Sequence, residues 1–88
     1  LCEALAQAGV SVGLSKETAT ELARATIIGA SGLLETSDQS AADLRKAVTS
    51  PNGTTQAALD VLMASDGLAA LMGKAAQAAK TRAEQLSL

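Results

Sequence analysis

The sequence predicts an all-α fold: a helical bundle of about five helices in a single domain, residues 1-88. Three observations predict it. Apolar residues recur at steps of three and four, the spacing of one helix face. No stretch alternates apolar and polar residues, so no strand is expected. The breaks between periodic stretches carry helix-stopping and helix-starting residues: Gly9 and Gly13, Ser15, Ser40, Pro51-Asn52-Gly53 and Ser65-Asp66-Gly67.

Leu1 to about Ala8 reads as helix, with Gly9 as a glycine just past its end. Val10 to Leu14 is a short linker. Ser15 is suited to cap the next helix, with Glu17 and Glu21 early in it where the helix dipole favours acids. Ala19, Leu22, Ala23, Thr26, Ala30, Leu33 and Leu34 then share one face of a long helix, and Ile27 and Ile28 broaden it. A stripe so wide suits burial from more than one side. Gly29 and Gly32 lie inside this helix at a cost of about 1 kcal/mol each relative to Ala, which asks for a packing reason. Glu35 to Ser40 ends it. Ser40 and Asp43 resemble a capping box before a short helix, Ala41 to about Val48. Pro51 breaks the pattern, and Asn52 and Gly53 tolerate positive φ. Their flanks do not alternate, so an Asn-Gly hairpin is rejected. Thr54 or Thr55 opens a further helix with Ala57, Ala58, Val61 and Leu62 on its apolar side. Asp66 is placed to cap the last helix, whose buried face is Leu68, Leu71, Met72, Ala75, Ala79 and Leu86.

The composition points to a partner. The chain is 48% hydrophobic yet has no Phe, Tyr or Trp. Aromatic side chains bury the most area each, and a domain this small buries only about 60% of its unfolded surface in any case. Disulfides, metals or oligomerisation make up such a deficit. Cys2 is the only cysteine and there is no histidine, so neither an internal disulfide nor a zinc pattern is available. Oligomerisation remains, and Ala-rich helices approach closely enough to interlock. The net charge is −2, which argues against nucleic acid, whose phosphates need a basic stripe. Lys74, Lys80 and Arg82 read as a solvated helix face. No apolar stretch approaches the roughly 20 residues of a membrane span, and no signal peptide is legible. Leu1 falls inside an amphipathic pattern, so the chain reads as a piece of a longer protein.

Chemistry concentrates in Val48-Thr49-Ser50-Pro51-Asn52-Gly53-Thr54-Thr55. A kinked loop leads into a helix start, whose first N–H groups lack intrahelical partners and suit an anion. Gly53 leaves room for a ligand, and Thr54 and Thr55 add hydroxyls that donate and accept. From local chemistry alone the plainer reading is a Thr-capped helix after a Pro-Asn-Gly turn. A P-loop is excluded, since no lysine follows Gly53. Asn52-Gly53-Thr54 matches the N-glycosylation triplet, but nothing indicates secretion.

The run Leu44 to Leu59 resembles the signature of pyrroline-5-carboxylate reductases: Leu, Val four residues on, Thr/Ser-Ser-Pro-Gly-Gly-Thr/Ala-Thr, then Ala-Leu. Ala4-Leu5-Ala6-Gln7-Ala8-Gly9-Val10, Gly13-Leu14-Ser15 and the segment Ala78 to Leu86 are similar too. The resemblance implies the C-terminal helical domain of a two-domain oxidoreductase of proline biosynthesis, acting in the cytoplasm. A Rossmann domain would bind NADPH or NADH. The helical domain would interlock as a homodimer, with higher assembly left open, and hold part of the substrate 1-pyrroline-5-carboxylate, which is reduced to L-proline. The resemblance gives Thr55 a hydrogen bond near the ring nitrogen and Thr54 a backbone N–H toward the substrate. It has Ser50 and Gly53 shaping the pocket.

The sequence departs from that pattern in places. Asn52 replaces the first glycine of the Gly-Gly pair; Asn is the residue after glycine best able to take positive φ. Ala47 stands where relatives often have an Asn that touches the cofactor. The Gly-x-Gly-x-x-Gly fingerprint and the Ser-Gly-Pro opening are absent, so these 88 residues alone are not expected to bind nucleotide or turn over. The competing expectation is a non-catalytic helical oligomerisation module. A dinucleotide fingerprint upstream discriminates between the two.

Overall fold

The structure, a computed structural model, describes residues 1–87. It contains five helices, and no strand among the described residues. Contacts divide the chain into two compact units, Leu1–Leu44 and Arg45–Leu88.

In the first unit α1 (Cys2–Ser11) and α2 (Lys16–Thr36) pack against each other as a helical hairpin. Ser15 caps α2 as expected: its Oγ accepts from the Thr18 N–H at 3.2 Å. The end of α1 differs from expectation. The helix runs past Gly9 to Ser11, and the left-handed residue is Gly13, at φ 111°. The Gly13 N–H donates to the Val10 carbonyl at 3.0 Å and the Leu14 N–H to that of Gly9 at 3.1 Å. These two bonds make a Schellman motif, which satisfies carbonyls the helix end leaves free. Gly9 has another role: a Cβ there would lie 3.0 Å from the Ala19 Cβ. Its missing side chain brings α1 and α2 close. α2 also outlasts its expected end by including Glu35 and Thr36.

The apolar stripe of α2 is largely open in the single chain. Of the seven residues assigned to the inner face of α2, only Ala19 and Ala23 are buried. Leu22 is 51% exposed and Leu33 50%. Two alanines satisfy the α1 contact, and within the first unit the rest of the stripe is left uncovered.

α3 (Ala41–Ala47) starts at Ser40, whose Oγ accepts from the Asp43 N–H at 3.1 Å. The reciprocal Asp43 bond of a capping box is absent among the described residues. In the second unit, α4 (Thr54–Leu62) and α5 (Leu68–Leu86) follow. Their apolar faces are also open, against expectation: Val61 is 72% exposed and Leu71 64%, and Met72 and Leu86 are exposed. Ala57 and Ala58 are exposed, while Leu59 is half-buried. Within this unit no two helices pack along their lengths. Asp66 does not cap α5; Gly67 holds the cap position, with no side-chain bond. The reason is steric, because a Cβ at Gly67 would run into the Leu62 carbonyl.

Candidate functional site

The loop between α3 and α4 is built by local rules. The Thr49 Oγ1 donates to the Arg45 carbonyl at 2.6 Å, and the Thr49 N–H donates to that of Lys46 at 3.2 Å. Both bonds use carbonyls at the end of α3 and hold the start of the loop against it. Ser50 to Gly53 then forms a β-turn closed by the Gly53 N–H on the Ser50 carbonyl at 3.1 Å. Pro51 occupies the second position, where its fixed φ fits, and Asn52 the third, at φ 60°. Positive φ at the third position after proline defines a type II turn. Asn52 thus takes the left-handed conformation that its place in the motif required.

Gly53 is needed for a different reason than sequence reasoning assigned. Its backbone is extended, φ −88° and ψ −177°, a conformation open to any residue. A Cβ there would sit 3.2 Å from the Ser50 carbonyl oxygen and 3.5 Å from the Ser50 Cβ. Glycine lets the turn close tightly on the helix start.

Gly53 is also the cap residue of α4, and no side chain caps this helix. The plainer reading of the motif, a threonine cap, does not hold: Thr54 is the first helical residue and Thr55 the second. The first chain bond into this helix start is the Ala57 N–H on the Gly53 carbonyl at 3.1 Å. The N–H groups of Thr54, Thr55 and Gln56 therefore have no partner among the described residues, and neither do the two threonine hydroxyls. No acidic residue lies in the first turn to offset the positive end of the helix. Ser15 and Ser40 cap their helices with Oγ; this helix, like α1 and α5, has no side-chain cap.

The four expected site residues thus fall within one turn and one helix start. Ser50 and Gly53 touch, Ser50 and Thr54 are exposed, and Gly53 and Thr55 are half-buried. Two contributors were missed. Thr49 anchors the loop, and only the structure shows whose carbonyls it takes. Gln56 supplies the third free N–H, which counting three residues into the helix would have found. Its side chain is occupied, the Nε2 donating to Asp60 Oδ1 at 2.8 Å.

A neighbouring open cleft of about 370 Å³ is lined by Arg45, Lys46, Thr49, Gln56, Leu59, Asp60 and Met63. Ser50, Gly53, Thr54 and Thr55 do not line it. No helix is long and apolar enough to cross a membrane among the described residues.

Residues 1–86 match the family model described as pyrroline-5-carboxylate reductase dimerisation. Among curated proteins the chain is similar to the pyrroline-5-carboxylate reductase of Pseudomonas aeruginosa, with 42% identity over 99% of this chain and 32% of the relative. It is 45% identical to that of Mycobacterium leprae, over 100% of this chain and 35% of the relative. With that of Staphylococcus aureus it shares 45% identity over 97% of this chain and 31% of the relative. The chain spans about a third of the length of these relatives. No solved structure gives a significant match.

Proposed function

The chain belongs to the pyrroline-5-carboxylate reductase dimerisation family, and from that premise we propose that residues 1-88 are the C-terminal dimerisation and substrate-binding domain of such a reductase. The full-length protein reduces 1-pyrroline-5-carboxylate to L-proline in the cytoplasm. NADPH or NADH, held by a Rossmann domain elsewhere in that protein, supplies the hydride. The chain's own share is to hold and orient the acceptor. The backbone N–H groups at the start of α4, Thr54 foremost, donate to the substrate carboxylate. The Thr55 hydroxyl accepts from the protonated ring nitrogen and sets the angle of the C=N bond. Ser50 and Gly53 shape the floor of the pocket.

The observation that carries this reading is the uncapped start of α4. Three N–H groups and two hydroxyls are left without partners behind a tightly closed turn. α1 and α5 also lack a side-chain cap; what sets the α4 start apart is the pair of threonine hydroxyls at its first two positions, neither with a partner among the described residues. The homodimer is supported by the open apolar faces of α2, α4 and α5 in a chain whose buried residues, among those described, are two alanines.

The test is Thr55→Ala in the full-length protein. A hydrogen bond to a charged group contributes about 1.5–3 kcal/mol, so kcat/KM for NADPH-dependent proline formation is expected to fall roughly 10- to 150-fold. Thr55→Ser, which keeps the hydroxyl, is expected to recover most of it. An alanine variant as active as the parent would remove Thr55 from the site.

A further inference from the structure

We propose that the Asn52-Gly53 peptide is a site of spontaneous deamidation, so that the substrate loop carries its own chemical ageing point. Asn52 is the only asparagine of the 88 residues. It is exposed, and its side chain makes no hydrogen bond among the described residues. The residue that follows has no side chain to obstruct attack on the Asn52 amide. Asparagine is among the thermolabile residues for this chemistry.

The step needs only water. The Gly53 backbone nitrogen gives its proton to solvent and attacks Asn52 Cγ. An N–Cγ bond forms, the Cγ–Nδ2 bond breaks, and ammonia leaves a five-membered cyclic imide. Water then opens the ring at either carbonyl. One opening gives Asp; the other gives isoaspartate, with the main chain rerouted through the side-chain carbon. The sum is amide plus water to acid plus ammonia, with no change of oxidation state.

The structure also says what restrains the reaction. The Gly53 N–H is held by the Ser50 carbonyl at 3.1 Å, the single backbone bond that closes the turn. Attack requires that bond to open. Asp66-Gly67 has the same local sequence logic but a tighter hold: the Gly67 N–H meets the Ala64 carbonyl at 2.8 Å, and the Leu62 carbonyl crowds the glycine. Asn52 is therefore the weaker of the two points.

Conversion changes the loop in two ways. A carboxylate appears in the turn that leads directly into the N–H groups of Thr54 and Thr55, where it repels an anion and competes for those donors. Isoaspartate also lengthens the main chain inside a type II turn, which breaks its geometry. The effect on turnover rests on the substrate reading given above; the conversion itself does not.

The experiment holds the full-length protein at physiological temperature for several weeks, at neutral and at mildly alkaline pH, and samples it for mass and activity. Trypsin releases Ala47–Lys74, whose only asparagine is Asn52. The expected result is progressive change of this peptide from amide to acid mass, faster at the higher pH. NADPH-dependent proline formation should fall in step with the converted fraction, and Asn52→Gly should keep its own starting activity through the same incubation. The proposal is overturned if the peptide keeps its amide mass in the protein while a synthetic Ala47–Lys74 peptide converts. Conversion that leaves activity intact, or an Asn52→Gly variant that decays as fast as the parent, overturns the link to turnover and with it the substrate reading of the loop, while the change of peptide mass still decides the deamidation. A protein with no reductase activity at the outset refutes the proposed function instead, and the mass of the peptide alone then decides the deamidation.

Discussion

Gly29→Ala is expected to move two measurements in opposite directions. In a single chain, nothing lies within 4 Å of a Cβ built at Gly29. Alanine there costs no contact and gains about 1 kcal/mol of helix propensity. Gly29 shares a stripe of α2 with Leu22, Thr26 and Leu33 at steps of three and four, and both leucines are half exposed. If this stripe faces the partner subunit, the glycine is where the partner comes closest. A methyl forced into a close-packed contact costs about 1–3 kcal/mol, and two-fold symmetry counts it twice. The dimer dissociation constant should then rise between about 30-fold and about 20,000-fold. Because the gain in helix propensity is present in monomer and dimer alike, it cancels from this ratio. The assay is sedimentation velocity across a dilution series, with thermal unfolding of the dissociated chain alongside. A dissociation constant unmoved by both Gly29→Ala and Gly29→Leu would show that the stripe does not face a partner.

Three further substitutions test the local account. Ser15→Ala removes the cap on Thr18 N–H and should lower stability in urea by about 1 kcal/mol, with Ser15→Asp restoring it. Gly67→Ala should destabilise by about 3 kcal/mol although φ there suits any residue, because its Cβ meets the Leu62 carbonyl; unchanged denaturation would contradict the collision. Gly9→Val overpacks the contact with Ala19 and should cost about 1–3 kcal/mol, read as a lower melting temperature.

Much of this molecule is legible one segment at a time. Ser15 and Ser40 announce their helices because a cap is a bond between residues three apart. Pro51-Asn52-Gly53 announces its turn because φ preferences belong to single residues. The turn and helix start that carry Ser50, Gly53, Thr54 and Thr55 were legible for the same reason. Interactions between segments were harder to read. Gly9 looked like a helix end because a glycine after an apolar run usually is one. Its actual role depends on Ala19, ten residues on and in another helix. Gly53 looked like a source of backbone freedom and Gly67 like part of a break between helices, yet both are explained by carbonyls that lie close to them in space.

The apolar stripes mark the same division most clearly. Their periodicity established that α2, α4 and α5 each have a face to bury, and the absence of aromatic residues established that the chain has little with which to bury it. Whether a given leucine is covered depends on which helix reaches it. In this chain α1 covers Ala19 and Ala23, and Leu22, Leu33 and Leu71 stay open. The sequence alone therefore determined the helices, the Ser15 and Ser40 caps and the turn that opens α4, since each is settled within about four residues of chain. The tertiary structure decided which faces remain for a partner and which glycines are there for space, because burial is set by atoms distant in sequence.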